Sequence, residues 1–264
     1  MNSGRIHIGI GGWSCAPWQG SFYPKGLPAR RELEHASRKL TSIEVNGTYY
    51  RAQTPETFQK WHDETPDDFV FAVKAPRYAT NRKVLAGAGD SIARFLDGGL
   101  MRLGDKLGPI NWQFMATRKF DPDDFAAFLA LLLDRHQGRP LRHAVEVRHD
   151  TFRDPAFTAM IRDRGIAAVV SADGGYTQIA DPTAPFVYAR IMGTTDGAAT
   201  GYDDAGLDLW AARIREWAAG GCPDGLDHVD APAPGQPRDV YLYVIGGHKA
   251  ANPQAAMGLI ERLA

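Results

Sequence analysis

Apolar and polar positions alternate with a two-residue period in five short runs, and each carries a charged side chain at or near its carboxyl end: Ser42–Asn46, Val70–Lys74, Ala144–Arg148, Ala168–Asp173 and Phe186–Arg190. With three further runs, strands are predicted over 6–10, 42–46, 69–74, 110–115, 143–148, 166–173, 186–192 and 240–245. Helical periodicity fills most of the gaps. Leu33, Ala36 and Leu40 share one face of 29–40, and Pro55–Asp63 opens on a Thr54 cap with Glu56 just inside. A looser pattern covers 90–107, interrupted by Gly98 and Gly99. Asp121 and Pro122 start a helix in which Phe125, Phe128, Leu129, Leu132 and Leu133 recur at helical spacing, and others fall at 154–164, 205–219 and 252–263. Asp173 to Pro185 is too rich in turn residues for a helix, and Gly221–Pro237 reads as a loop on the helix-to-strand face. Eight strands alternating with about seven helices predict an α/β fold, a single TIM-like barrel of roughly eight parallel strands with helices outside, over residues 1–264.

A barrel strand is covered on both faces, so an ionised group within it is costly unless it is paired or faces a wet cavity. Charge repeated at the carboxyl ends of such strands marks the mouth where barrels place their active sites. Alternate residues share a face, so Glu44 points with Asn46 and Glu146 with Arg148. Glu44, Asn46, Lys74, Gln113, Glu146, Arg148, Asp173 and Arg190 are therefore expected to converge. Within that ring Glu44, Glu146 and Asp173 are the catalytic acid–base candidates, and Asn46, Lys74, Gln113, Arg148 and Arg190 the substrate-binding ones. Tyr49 and Trp13 add aromatic surface to the binding set. A structural ion-pair network filling the mouth is the competing account of the same residues.

The loops change the electrostatic picture. Arg51, Arg77, Arg82, Lys83, Arg118 and Lys119 follow strands two to four, whereas Asp63, Glu64, Asp67, Asp68, Asp224, Asp227 and Asp230 precede strands. A net charge of −1 is thus expected to conceal a basic mouth, while offering no global field for nucleic acid or an anionic membrane. Gly193–Thr195 and Gly246–Lys249 follow strands seven and eight, the loops barrels often use for phosphate, and Asn252 with Pro253 is expected to cap the last helix and leave its amides free. Plain glycine turns explain them as well. Cys15 and Cys222 lack a partner motif, so neither a disulfide scaffold nor a cysteine-bound zinc is expected. His149, His248, Glu146 and Asp173 lack ligand spacing, and no metal is assigned. No cofactor is indicated: Gly9–Gly12 lacks the third glycine of a dinucleotide fingerprint. Without an apolar signal core or a run of ~18 apolar residues, a cytoplasmic location with no membrane partner is expected.

Gly11–Ser14 followed by Trp18–Pro24, then Ile43–Tyr50, Lys74–Arg77, Leu103–Ile110 and Ala144–His149, form an ordered series that resembles the DUF72 (YecE-like, UPF0759) family over essentially the whole chain. The resemblance implies a TIM-barrel-like fold and a bacterial cytosolic protein, and brings no settled activity. Three segments depart from the family pattern. Its Gln-Leu-Pro-Pro after strand four is here Gln113-Phe114-Met115-Ala116, its Phe-Asn-Asn ending strand eight is Val244-Ile245-Gly246-Gly247-His248, and its Arg-x-His-Gly of strand seven is Arg190-Ile191-Met192-Gly193. All three lie at the mouth, where a change of substrate or function would be written.

The first functional reading is an enzyme acting on a small anionic molecule, phosphorylated or not, clamped by Arg148, Arg190 and Lys74 while carboxylates move protons. Hydrolysis, elimination and isomerisation all fit that machinery. The second is a nucleic-acid-processing barrel, with basic loops on phosphates and aromatics on bases. The third is a non-catalytic ligand-binding barrel. Under the first, Arg190→Ala should lose the anion and keep the fold, and Glu146→Gln should keep fold and binding and lose turnover. A folding failure of Arg190→Ala would mark the structural network. Oligomeric state has no sequence signal here.

Overall fold

The computed structural model describes residues 3–230 and 235–264, so 231–234 of the expected 221–237 loop lie outside the described residues. All eight predicted strands form: β1 (Ile6–Gly11), β2 (Ser42–Val45), β3 (Val70–Lys74), β4 (Leu107–Gln113), β5 (His143–Glu146), β6 (Ala167–Ala172), β7 (Phe186–Ile191) and β8 (Asp239–Val244). Every pairing between them is parallel, neighbours follow chain order, and β8 closes against β1. With helices around this closed sheet, the chain is an α/β TIM-like barrel.

The helices are α1 (Glu32–Ala36), α2 (Gly47–Tyr50), α3 (Pro55–Asp63), α4 (Arg77–Thr80), α5 (Gly89–Asp97), α6 (Pro122–Ala130), α7 (Pro155–Asp163), α8 (Asp204–Ala218) and α9 (Asn252–Leu263). Four begin on a side chain that accepts from orphan backbone amides: Thr54 for α3, Asp121 for α6, Asp154 for α7 and Asp203 for α8. Each such cap is worth about 1 kcal/mol. The expected 29–40 and 90–107 helices are shorter and finish or begin as 3-10 turns, the second broken where Gly99 takes φ 97°. α2 and α4 are single turns that the sequence pattern does not announce, being too short for a period of 3.6 to show. The helical pattern expected through Leu133 ends at Ala130, and a two-residue ribbon, Arg135–His136 against Arg139–Pro140, follows it. Its turn residues Gln137 and Gly138 both have positive φ.

Buried side chains form two layers separated by the barrel wall. The outer one lies between strands and helices and includes Ile10, Ile43, Val73, Trp112, Val145, Ile191 and Val244. The inner one is Ala72, Ala144, Ala167, Val169, Phe186, Tyr188, Tyr241 and Tyr243. Alternation along each strand produces this division. Three tyrosines make the interior unusually polar for a barrel core. At the amino-terminal end His7 stacks on Tyr241 at 4.8 Å, and one level higher Tyr188 and Tyr243 lie 5.2 Å apart. Ser42 donates to the Val70 carbonyl oxygen at 2.7 Å, so the Tyr243 hydroxyl, 2.8 Å away, donates to Ser42. Gly9 lets β1 approach β2 at this level, since a Cβ there would fall 2.0 Å from the Ser42 carbonyl oxygen.

Among the described residues no helix covers the wall between β6 and β7, as the turn-rich 173–185 segment predicts. Residues 222–230 fill part of that gap instead of staying at the helix-to-strand face, which corrects the simple loop expected there. Leu226 and Val229 pack on the outer layer. Asp181, itself buried, accepts the Val229 and Asp230 amides at 2.8 Å each, and Ala180 donates to the Asp227 carbonyl at 2.8 Å. Asp227 and Asp230 then pair with Arg153 and Arg162 on the outer wall rather than forming an acidic pole opposite the mouth.

Candidate functional site

The carboxyl ends of the strands bring five charged side chains together. Register aligns Gln113 with Glu146, Lys74 with Asn111 and Ser171 with Arg190, and these pairs share the inward face. Glu44 and Glu146 are 0% exposed. Arg190 lies between them: Nη1 donates to both oxygens of Glu146 at 2.8 and 2.7 Å, and Nη2 to Glu44 Oε1 at 3.2 Å. The Tyr188 hydroxyl donates to Glu44 Oε2 at 2.6 Å, so the ionic layer rests on the tyrosine layer below. Arg148, just beyond the end of β5, donates Nε and Nη2 to Glu146 Oε1 at 2.9 and 2.6 Å, and Asn111 Nδ2 donates to Oε2 at 3.2 Å.

These contacts set the proton affinities. Burial alone would raise the Glu146 pKa, but Arg190, Arg148 and Lys74 outweigh it and bring it down to about 2. Glu146 is therefore a fixed carboxylate with both oxygens occupied, a weak base. Burial pushes the Tyr188 hydroxyl well up, and the neighbouring Glu44 adds to the effect. Lys74 behaves differently. Burial lowers its pKa to about 8, against the pull of Glu44, with the Arg190 charge lowering it further. Among the described residues its ammonium has no carboxylate within ion-pair distance; its partner is the Tyr49 ring, whose centroid lies 4.6 Å from Nζ. The short α2 turn places that ring, with Thr48 Oγ1 donating to the Lys74 carbonyl at 2.7 Å.

Two carboxylates face three cations here, so the cluster carries an excess positive charge. Solvent reaches it through Lys74 (7% exposed) and Arg148 (18%) rather than through either glutamate. Arg148 also lies 4.2 Å from the ring of Tyr176, on the loop after β6. Among the described residues three buried polar atoms at this level have no hydrogen-bond partner, Asn111 Oδ1, Gln113 Oε1 and Ser171 Oγ, while Arg190 Nε faces Glu44 Oε2 at 3.2 Å in an ion pair. Such groups are costly to bury unpaired, and a cluster of them points to water or a polar ligand.

The other predicted residues are placed less centrally. Asn46 is half-buried above Glu44, with Nδ2 3.4 Å from the Glu44 carbonyl oxygen. Trp13 packs edge-on against Trp61 at 5.1 Å, and its carbonyl accepts from the Tyr23 hydroxyl. Asp173 stands apart from the ion-paired ring: it is exposed, has φ 60°, and accepts from Tyr202 Oη at 2.9 Å and Trp210 Nε1 at 3.2 Å. The left-handed residue turns its side chain from the strand's inward face to the base of α8. The glycine loops after β7 and β8 are tied to each other, His248 N donating to the Thr194 carbonyl at 2.7 Å. Asn252 is the first residue of α9 and not its cap; its buried amide instead joins Thr194 at 2.7 Å and the Gly246 carbonyl at 3.2 Å. That helix start is therefore enclosed rather than open to an anion. Of the basic loop residues, Arg118 is a staple, donating to the carbonyls of Arg82 and Lys83 and to Asp124. Among the described residues no three His, Cys, Asp or Glu side chains converge as a metal site would require.

Sequence reasoning did not single out Asn111, Ser171, Tyr188 or Tyr176. The first three were accessible to it: each lies two residues from a named ring member or aligns with one, on the same strand parity. Tyr176 sits on an irregular loop with no period to place it.

Fold and site together define an α/β barrel whose mouth is closed by a buried glutamate–arginine–glutamate bridge under a less satisfied lysine and arginine. The family described as "Protein of unknown function DUF72" matches residues 7–264, and the chain belongs to it. Over 170 residues it is 29% identical to the UPF0759 protein YecE of Escherichia coli (strain K12), a stretch covering 62% of this chain and 58% of that protein. It is 26% identical over 157 residues to the UPF0759 protein YunF of Bacillus subtilis (strain 168), covering 58% of this chain and 54% of that one. The matches thus span little more than half the length of these relatives. A DUF72 family protein from Thermotoga maritima MSB8 has the same fold, with TM-score 0.74 at 20% identity over 98% of this chain and 99% of its own. Another from Enterococcus faecalis V583 gives 0.70 at 15% identity, covering 100% and 99%. Among the described residues no helix is long and apolar enough to cross a membrane.

Proposed function

We propose that the barrel mouth is the active site of an enzyme that binds a small anionic molecule, carrying phosphate or carboxylate, against Arg148 and Lys74. The observation that carries this reading is the buried Lys74 ammonium, without a carboxylate partner among the described residues, in a cluster with excess positive charge and three unpartnered polar atoms. A buried cation without a counter-ion is unfavourable by itself and is relieved by an anionic ligand. Glu44 and Glu146 then serve chiefly to hold Arg190 and Arg148, and proton transfer falls to Lys74, whose pKa of about 8 makes it an effective acid near neutrality. Gln113 and Asn111 offer their free oxygens to hydroxyl or amide groups of the same ligand.

A second reading is favoured by one specific observation. Both glutamates are sealed from solvent and fully engaged, which suits a barrel that binds an anion without transforming it. Native mass spectrometry of the purified protein, with phosphate and short-chain carboxylates screened by thermal shift, tests the shared part. An anion that stabilises the parent protein but neither Arg148→Ala nor Lys74→Met is expected. Equal stabilisation of all three proteins would overturn the site. Turnover of the identified anion, lost in Lys74→Met, separates enzyme from binding protein.

A further inference from the structure

Beside the mouth, and separate from its ion-paired centre, lies a cavity of about 330 Å³ between the α2–α3 connection, α4 and α5. Its floor is Phe58 and Phe95, and its rim carries Tyr50 and Tyr78, which are 60% and 54% exposed. Arg51 and Arg94 line it, and among the described residues no acidic side chain does. Among the described residues neither arginine has a carboxylate within 4 Å: Arg94 leaves Asp90 and Asp97 of its own helix unpaired with it, and Asp97 pairs with His136 instead. A third arginine, Arg77, sits between the two rim tyrosines, its guanidinium 5.9 Å from the Tyr50 ring and 6.0 Å from the Tyr78 ring. Tyr78 Oη donates to the Tyr50 carbonyl at 3.4 Å, which holds the two sides of the rim together.

Two exposed tyrosines are unusual company for three arginines that, among the described residues, form no ion pair with a carboxylate. Large aromatic side chains are normally found covered, and guanidinium groups near a surface normally find a carboxylate when one is within reach. The volume is at the lower end of small-ligand pockets, which rules in a mononucleotide-sized guest and rules out a folded partner. Aromatic faces recognise planar rings by stacking, and an arginine fork recognises phosphate or carboxylate through two parallel hydrogen bonds. We propose that this cleft is a second binding site, for a planar heteroaromatic ring carrying a phosphate, as in a nucleoside monophosphate. The base lies on Tyr50 and Tyr78 over the Phe58 and Phe95 floor, and the phosphate is held by Arg51 and Arg94.

The same base-plus-phosphate chemistry is offered by a free mononucleotide and by a single-stranded oligonucleotide, and titration calorimetry distinguishes them. The probes are adenosine monophosphate, adenosine, inorganic phosphate and a short oligothymidine, added to the full chain. Adenosine monophosphate should bind, with adenosine and phosphate each weaker by at least about tenfold, because each loses half of the recognition. The exposed double variant Arg51→Ala/Arg94→Ala should weaken adenosine monophosphate by about tenfold or more and leave adenosine unchanged. Tyr78→Ala should weaken both. An oligonucleotide that binds far more tightly than the monomer, with affinity falling steeply in salt, identifies the polymer as the source; equal affinities identify the monomer. In the Lys74→Met background, where the mouth anion is lost, adenosine monophosphate and the oligonucleotide should still bind at the cleft and still respond to the arginine and tyrosine variants, so failure of the mouth proposal and failure of this one are read separately. Absence of binding by both the monomer and the oligonucleotide, or binding that survives the arginine and tyrosine variants, overturns the second site.

Discussion

Replacing Glu146 by glutamine removes one negative charge from the centre of the barrel while nearly preserving shape. Glu146 takes five hydrogen bonds, from Arg190, Arg148 and Asn111. The fall of its pKa from an ordinary 4.5 to about 2 measures how much the fold favours the ionised form, and at about 1.4 kcal/mol per pH unit it corresponds to about 3 kcal/mol. Breaking a buried ion pair from one side costs about 3–5 kcal/mol in general, which agrees. The variant should therefore fold, since domains of this kind have about 5–15 kcal/mol to draw on, but with its stability reduced by about 3 kcal/mol. The amide nitrogen would face Arg190 and Asn111 as a second donor, and rotation of the Asn111 amide, whose oxygen lacks a partner, relieves part of that conflict. Denaturant unfolding followed by tryptophan fluorescence at pH 7 gives the difference directly. Its pH dependence is the sharper check. A carboxylate with a depressed folded-state pKa stabilises fully above its unfolded value near 4.5, and that contribution is lost as pH falls toward 2. Parent and variant should differ by a constant amount from pH 7 to about 5 and converge below it. A difference under about 1 kcal/mol, or one that does not narrow in acid, would refute the account of Glu146 as the clamped anion of the bridge.

Lys74→Met should stabilise the protein at pH 7 by up to about 3 kcal/mol while abolishing anion binding, because the folded state holds this lysine below its ordinary 10.5 at about 8. The unfolded chain binds more protons between those values, so the gain should be full below pH 8 and fade toward pH 10.5; thermal melts across that range check it. Arg190→Ala leaves two buried carboxylates without their shared cation and should cost about 3–5 kcal/mol or prevent folding, contrary to the intact fold that sequence reasoning expects of a ligand-facing arginine; circular dichroism and denaturant titration decide it. Tyr188→Phe removes the 2.6 Å donor to Glu44 and should cost about 1–3 kcal/mol without changing the unfolding m-value, read by denaturant titration.

Hydrophobic periodicity by itself determined the eight strands of the barrel, most of its helices and the end of the sheet at which charge collects, because burial on both faces of a strand leaves a two-residue rhythm that any inserted charge interrupts. Strand parity likewise identified Glu44, Lys74, Glu146, Arg148 and Arg190 as neighbours. Only the tertiary structure decided how those neighbours divide. Arg190 and Arg148 are the same residue type two strands apart, yet one is locked between two glutamates and the other reaches the surface onto Tyr176. Asp173 shares the ring's parity, yet one left-handed backbone step sends it to Tyr202 and Trp210. The cover of the β6–β7 wall by residues 222–230, and the cleft formed by Tyr50, Tyr78, Arg51 and Arg94, join segments with no shared period. Periodicity reports which side of an element is buried; pairing, access to solvent and charge balance depend on distances across the barrel, which closure of the sheet alone sets.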